Sequence, residues 1–399
     1  MGLKILVIAD EPFYPTRAVA GNLIDILDFL TNHNITIELL QPGLREWESN
    51  EKSFHVVTFS RKPHYLTGFF TAFEASNASL FKAVAPLFHP TLFRIFFGLS
   101  KSSDIIMCYG LTYSIPTIVI AKILQKPVIL LGDIFYLSYF RKVKSVAPIL
   151  LKFLLIWEKS VEHLVNRRVV WGPDDKKYLI STGIAEKKIL IVPLSLNLRK
   201  IVLMGKKDNS EFAFKHLKML KDSGFKILMF HGSIDYGPNK SCVDYIVNIL
   251  APALLRKYDN LIFAIIGKYS GRVNQSNKGI FFTGYVDNIF SYISLADIGL
   301  VPLTSGTGVK NKLLEYFAMS KPVITTRTGV ENLNVTNMYH CVITNIESFT
   351  ERLLFLLENP ELMKTLGQNA REYVQENHKV KNYERFIHLA EELVSSRKK

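Results

Sequence analysis

"IGLVPLTSGTGVKNKLLEYF", residues 298–317, runs from a short apolar segment closed by Pro302, through a glycine-rich loop, into a greasy stretch that starts near Val309. The apolar segment reads as a strand and the greasy stretch as a helix. Strand, loop and helix in this order form the repeating unit of a doubly wound parallel sheet.

The loop and the helix start also carry chemistry. Gly306 and Gly308 permit backbone angles closed to other residues and let a ligand approach the main chain, with Thr307 between them. The first amides of a helix lack partners and sit at the positive end of its dipole, so this turn is a ready anion site. Lys310 and Lys312 fall in that first turn, where a cation costs about 0.3–1 kcal/mol against the dipole. An anion offsets that cost, and a diphosphate is the natural candidate. Glu315 lies deeper, within "LLEYFA", where a buried carboxylate needs hydrogen-bond donors. The two hydroxyls of a ribose are such donors. An ordinary surface pair between Lys312 and Glu315, three positions apart, is the alternative.

Outward from this unit, the same alternation recurs. Strands are expected at 4–9, 35–40, 55–60, 104–108, 127–131, 168–171 and 188–193, with helices near 19–31, 113–124 and 148–165. The polar stretch 195–212 interrupts the rhythm and reads as a linker. "FKILMFHG" (225–232) then echoes "LKILVIAD" (3–10), and further strands follow at 261–266, 279–282, 298–301 and 322–325. The expectation is α/β architecture: two Rossmann-like doubly wound parallel-sheet domains facing a cleft. Residues 1–200 form the first domain, 201–378 the second, and 379–399 a terminal helix packing back on the first. Ligands of such sheets bind outside the carboxyl ends of the strands, at topological switch points.

At 399 residues, with 48% hydrophobic and 21% charged side chains, the chain has the make-up of an ordinary globular protein. Cys108, Cys242 and Cys341 are far apart and share no metal-ligand spacing, so neither a disulfide framework nor a zinc site is expected. The start, "MGLKILVIAD", has no basic segment followed by a cleavage site and reads as a first strand, which implies a cytoplasmic address.

The net charge of +14 is uneven: residues 134–200 hold 13 basic and 5 acidic side chains, whereas 1–133 hold 11 of each. An anionic surface is expected opposite that span. No helix-turn-helix, finger or RNA-recognition signature accompanies it, so no nucleic-acid partner is expected. Nearby, residues 65–99 contain eight phenylalanines, and "VAPILLKFLLIW" spans 146–157. Both are too interrupted to cross a bilayer. With Lys82, Arg94, Lys152 and "RKVK" (141–144) beside them, they fit peripheral contact with a membrane. Burial of the same stripes in a core is the competing reading.

The segment "ADIGLVPLTSGTGVKNKLLEYFAMSKPVITTRTGVENL" (296–333) closely resembles the donor-binding region of family-4 glycosyltransferases of the GT-B fold. So do "FHGSIDYGPNKSCVDYI" (230–246), "FTGYVDNIFSYISLADI" (282–298) and "LLENPELMKTLGQNAREYV" (356–374). The resemblance covers nearly all of 225–380 and implies a retaining transferase that takes a sugar from a nucleotide diphosphate sugar without a cofactor or metal. Glu315 matches the second acid of the family's glutamate pair and by resemblance holds the donor ribose. Thr307 stands where the first acid belongs, so donor identity is not readable there. Ser233 and Pro238 stand where many members have an arginine and a lysine on the diphosphate. Lys310 and Lys312 are expected to replace that clamp, with backbone amides near Gly232 and Gly306 to Gly308 assisting.

By the same resemblance, Tyr285 and Val286 lie near the nucleobase, with plain packing of Tyr285 the alternative. In the first domain, Gly21 is what remains of a double-glycine loop, and Arg17 is either a phosphate contact or a solvated loop arginine. Asp133 follows "PVILL" where some members have an Asp facing the cleft, as a base or as a stabiliser of positive charge on the sugar. A helix cap is its other reading. The basic, phenylalanine-rich first domain points to a lipid or lipid-linked acceptor at the cytosolic face of a membrane. A non-catalytic GT-B partner protein and a sugar-nucleotide epimerase of the same fold are the rival readings.

Overall fold

A computed structural model of the chain describes residues 2–9, 18–43, 47–51, 54–60, 90–111, 113–132, 148–206, 211–269 and 279–397. They form two compact units: Met1–Leu194 together with Lys381–Lys399, and Ser195–Val380.

The first unit is built on eight strands in the order β3-β4-β2-β1-β5-β6-β7-β8. These are β1 (Lys4–Ala9), β2 (Thr36–Gly43), β3 (Trp47–Glu51), β4 (Phe54–Ser60), β5 (Ile105–Tyr109), β6 (Val128–Leu131), β7 (Arg167–Val170) and β8 (Ile189–Ile191). Every neighbouring pair is parallel except β3, which runs antiparallel on β4. Ile5, Leu6, Val7 and Ile8 are all buried, as a central parallel strand covered on both faces requires. β3, "WESNE", was not among the expected strands.

Phe96, on the helix Pro90–Ser102, is fully buried in this unit's core with Trp157 and Val161, and Phe93 and Phe97 pack against the same cluster. The described end of the phenylalanine-rich stretch is therefore core, whereas residues 61–89 and 141–147 lie outside the described residues. Arg168 of β7 is buried too. Its Nε donates to Glu162 at 2.9 Å, Nη1 to the Val169 carbonyl at 2.8 Å and Nη2 to the Gly132 carbonyl at 2.9 Å. That fork neutralises a desolvated acid and fixes the turn at the end of β6. The terminal helix Glu384–Arg397 belongs to this unit. It buries Phe386, Leu389 and Leu393, pairs Glu392 with Arg167, and places Arg385 Nη1 2.7 Å from the Ile191 carbonyl.

The second unit has six parallel strands in the order β11-β10-β9-β12-β13-β14. They are β9 (Lys226–His231), β10 (Leu261–Ile266), β11 (Ile280–Gly284), β12 (Ile298–Val301), β13 (Val323–Thr325) and the unexpected two-residue β14 (Val342–Ile343). The stretch read as a linker instead begins this unit and carries the helix Leu198–Lys206, capped when Asn288 Nδ2 and Ser291 Oγ donate to the Met204 carbonyl at 2.8 and 3.3 Å. The chain enters and leaves side by side: Leu196 bridges to Lys379, and the Leu196 amide donates to the His378 carbonyl at 2.8 Å.

Candidate functional site

Strand order reverses in the second unit between β9 and β12, and the loops that leave the carboxyl ends of these two strands carry most of the predicted residues. β9 ends at His231 and passes into Gly232, whose φ is +139°. β12 ends at Val301 and leads through Gly306 (φ +113°) and Gly308 (φ +72°) into the helix Asn311–Ala318. The two loops meet. A Cβ on Gly306 would lie 3.8 Å from the Pro238 side chain, and one on Gly232 would lie 3.1 Å from Lys312 Nζ and 2.9 Å from Asn239 Nδ2. Only a residue without a side chain leaves that space open beside the ammonium.

A third loop supports the first. Gly267, after β10, has φ +146°, and a Cβ there would stand 2.0 Å from the Gly232 carbonyl oxygen. The Gly232 amide donates to Ile266, and the Gly267 amide donates to Gly284 at the end of β11. Three left-handed glycines thus form a ledge across β9, β10 and β11. Tyr285 and Val286 follow directly at its far end, with Tyr285 half exposed.

The helix Asn311–Ala318 has no side-chain cap at its N-terminus, where Lys310 is the capping residue. Helical structure begins at Asn311, two residues later than the sequence suggests. Both lysines turn inward. Lys310 Nζ donates to the Gly308 carbonyl at 2.6 Å and lies 3.5 Å from Glu331. Lys312 Nζ donates to Asn239 Oδ1 at 2.7 Å and sits 4.1 Å from the centre of the Phe230 ring. Carbonyl dipoles and a π face therefore offset part of the cost of placing cations at the positive end of a helix.

Glu315 points back toward β9, its carboxylate 3.4 Å from His231 Nε2. The ring of His231 stands edge-on to Tyr316, whose hydroxyl donates to the Met229 carbonyl at 2.7 Å. Burial dominates all three ionisable groups. It lifts the Glu315 carboxyl to about 7, against the pull of Lys312. It lowers Lys312 to about 8, with Lys310 pushing the same way and Glu315 opposing. It drives His231 down to about 3, aided by Lys312, so the imidazole is neutral at any working pH. An acid and a base whose pKa values are both drawn toward neutrality by partial burial mark this cluster as a candidate functional site.

Ser233 is exposed and its carbonyl receives Asn239 Nδ2 at 2.8 Å, while Thr307 is partly buried between the two loop glycines. Gly21 lies inside the helix Ala18–Asn32 instead of in a loop. Arg17 and Asp133 lie outside the described residues. Sequence reasoning missed His231, Asn239 and Gly267. Asn239 and Gly267 follow the carboxyl ends of β9 and β10, and that placement is the signal by which they were to be found. Among the described residues, no group of three or more His, Cys, Asp or Glu is placed to hold a metal ion.

Residues 225–359 match the family described as Glycosyl transferases group 1. An uncharacterized glycosyltransferase of Methanocaldococcus jannaschii is 22% identical over 383 residues, covering 90% of this chain and 91% of the relative. Among solved structures, HepE of Anabaena in complex with UDP-glucose matches with a TM-score of 0.70 at 13% identity, covering 99% of this chain and 100% of that one. A sucrose-phosphate synthase of Thermosynechococcus elongatus matches at 0.71 and 14%, again over 99% and 100%. The two structural likenesses are of fold, and the family match carries the chemistry. The chain therefore has the GT-B fold, and its residues 225–359 match the group 1 glycosyl transferases.

Proposed function

We propose that this transferase moves a sugar, with retention of anomeric configuration, from a nucleotide diphosphate sugar to the hydroxyl of a lipid or lipid-linked glycan. The observation that carries the donor half is the half-buried pair formed by Glu315 and Lys312 beside Gly232. A nucleotide diphosphate presents a vicinal diol and a dianion a few ångströms apart, and these two side chains answer them in kind. The ribose hydroxyls donate to Glu315. Lys312, with the amides around Gly232 and Gly306 to Gly308, takes the diphosphate, and Lys310 holds the loop that presents those amides. Ser233 and Thr307 line the approach. Tyr285 and Val286 take the base.

As the bond from the anomeric carbon to the diphosphate oxygen breaks, negative charge grows on the leaving group. Preorganised cations and helix-end dipoles stabilise it without reorganising. The electron-poor carbon passes to the acceptor oxygen on the same face, and the proton of that hydroxyl goes to Asp133 or to the departing phosphate. HepE was solved with UDP and with UDP-glucose, which makes UDP-sugars the first donors to test.

The lipid character of the acceptor rests on the +8 carried by residues 134–200 and on Ile156 and Leu164, exposed at 58% and 48% on the helix Pro148–Leu164. Among the described residues no helix is long and apolar enough to cross a membrane, so contact of this kind is peripheral. A thermal-shift panel of UDP-, GDP- and ADP-glucose tests the donor reading, since a ligand of the folded state raises its melting point. No shift with any donor refutes it. Flotation with liposomes, with and without anionic lipid, tests the acceptor reading. No recovery with anionic vesicles refutes it.

A further inference from the structure

The loop that follows β13 carries a second acid, Glu331, to the same end of the sheet as Glu315. It is held there firmly. Thr325 Oγ1 donates to the Val301 carbonyl at 3.1 Å and Thr326 Oγ1 donates to the Leu303 carbonyl, which staples the start of the β13 loop to the start of the β12 loop. Gly329 packs so closely that a Cβ would stand 2.0 Å from Thr325 Oγ1. Beyond the short turn Thr328–Val330, Glu331 is extended and Asn332 adopts φ +65° while buried. The Glu331 side chain remains 36% exposed, and its carboxylate lies 3.5 Å from Lys310 Nζ, the ammonium that also binds Gly308.

The ionisable groups at this end of the sheet are linked neighbour to neighbour: Glu315 interacts with Lys312, Lys312 with Lys310, and Lys310 with Glu331. An acid lies at each end, with two cations between. A nucleotide diphosphate sugar has the complementary order, a diol on the ribose, a dianion, then the hydroxyls of the transferred sugar. An acid next to a diphosphate is unfavourable by charge alone. Ionised oxygens that accept from vicinal hydroxyls make strong, directional bonds, and Lys310 offsets the repulsion. Thr307, on the neighbouring loop, cannot supply that negative acceptor.

We infer that Glu331 is the donor-sugar recognition residue: its carboxylate accepts hydrogen bonds from hydroxyls of the transferred sugar while Lys310 holds it in place. This inference rests on the donor-site reading above, and the two are separable by experiment. Titration calorimetry compares wild type, E331Q and E331D, each with UDP and with UDP-glucose, or with the matching GDP or ADP pair if that nucleotide gives the thermal shift.

In E331Q the affinity for the nucleoside diphosphate stays within twofold of wild type, while affinity for the nucleotide sugar falls at least tenfold. E331D, which keeps the charge near Lys310 but withdraws it, loses an intermediate amount. Equal losses for diphosphate and sugar nucleotide in E331Q overturn the inference, because Glu331 then acts only through Lys310. Unchanged affinity for both overturns it as well. Wild-type protein that binds neither ligand refutes the donor-site reading itself, before any variant is compared.

Discussion

Glu315 is set to titrate near neutral pH, and donor binding should follow it. The carboxyl rests at about 7 because burial disfavours its charge, whereas in the proposed donor site the ribose hydroxyls would stabilise the ionised form. Binding then releases a proton below pH 7. The apparent affinity for a nucleotide sugar should fall about tenfold from its ceiling at pH 6 and about a hundredfold at pH 5. Lys312, lowered to about 8 by burial, should set the opposite limb: if the diphosphate is held by its ammonium, as proposed, affinity falls about tenfold by pH 9. The result is a narrow bell centred between the two. A nucleotide sugar is the right probe, because it lacks the terminal phosphate that titrates near pH 6 in a free diphosphate.

Glu315→Gln should remove the acid limb while weakening binding at pH 7.5 by about 1.5–3 kcal/mol, the worth of a hydrogen bond to a charged group. The same change should stabilise the free protein. A folded carboxyl at about 7 against an ordinary 4.5 holds its proton more tightly than the unfolded chain does. Stability associated with the neutral acid is therefore present below about pH 4.5 and is lost as pH rises to 7, a difference of about 3 kcal/mol. At pH 8 the Gln variant should melt higher by roughly 6–12 °C, and at pH 4.5 the gain should vanish. Calorimetric titration and melting curves from pH 5 to 9 decide the matter. A flat wild-type profile, or an acid limb that survives in Glu315→Gln, refutes the argument.

Three further outcomes follow from the geometry. Lys312→Met keeps the packing over Phe230 and removes the charge, so it should weaken nucleotide-sugar binding about 10- to 150-fold in titration calorimetry, with melting changed by only a few degrees. Gly267→Ala forces a side chain into the left-handed region and against the Gly232 carbonyl. It should cost about 2–4 kcal/mol in chemical denaturation. Arg168→Met leaves Glu162 buried without its cation and should cost about 3–5 kcal/mol, and the double variant with Glu162→Leu should recover much of that loss.

The sheet was legible where strands are buried on both faces. β1, β9 and β12 are near-continuous apolar runs, and their periodicity has no competitor. β3 escaped because "WESNE" is polar, as an antiparallel edge strand is free to be, and β14 because two residues form no pattern. The helix Leu198–Lys206 hid in a polar stretch because it buries little beyond Ile201. Within the site, the glycines, the lysines and Glu315 stood out because each breaks a local rule of helix or loop composition. His231 breaks none: a histidine at the end of an apolar strand looks like any other, and only the fold brings it to Glu315. Lys310 and Lys312 were legible as misplaced charges, but not the carbonyls and the ring that receive them, since those contacts join loops far apart in sequence.

The adjacency of Leu196 and Lys379 means that the second unit is an insertion within the first, with its two ends side by side. For a nascent chain this inverts the usual order of maturation. Residues 195–380 are synthesised as an uninterrupted whole and can fold as soon as they emerge. The first unit begins earlier yet waits for Phe386, Leu389 and Leu393 to cover its core. At about 5–20 residues per second, that wait lasts roughly 10–40 s. Until then an apolar face stands open to chaperones, so truncations near the C-terminus should damage the half of the protein made first.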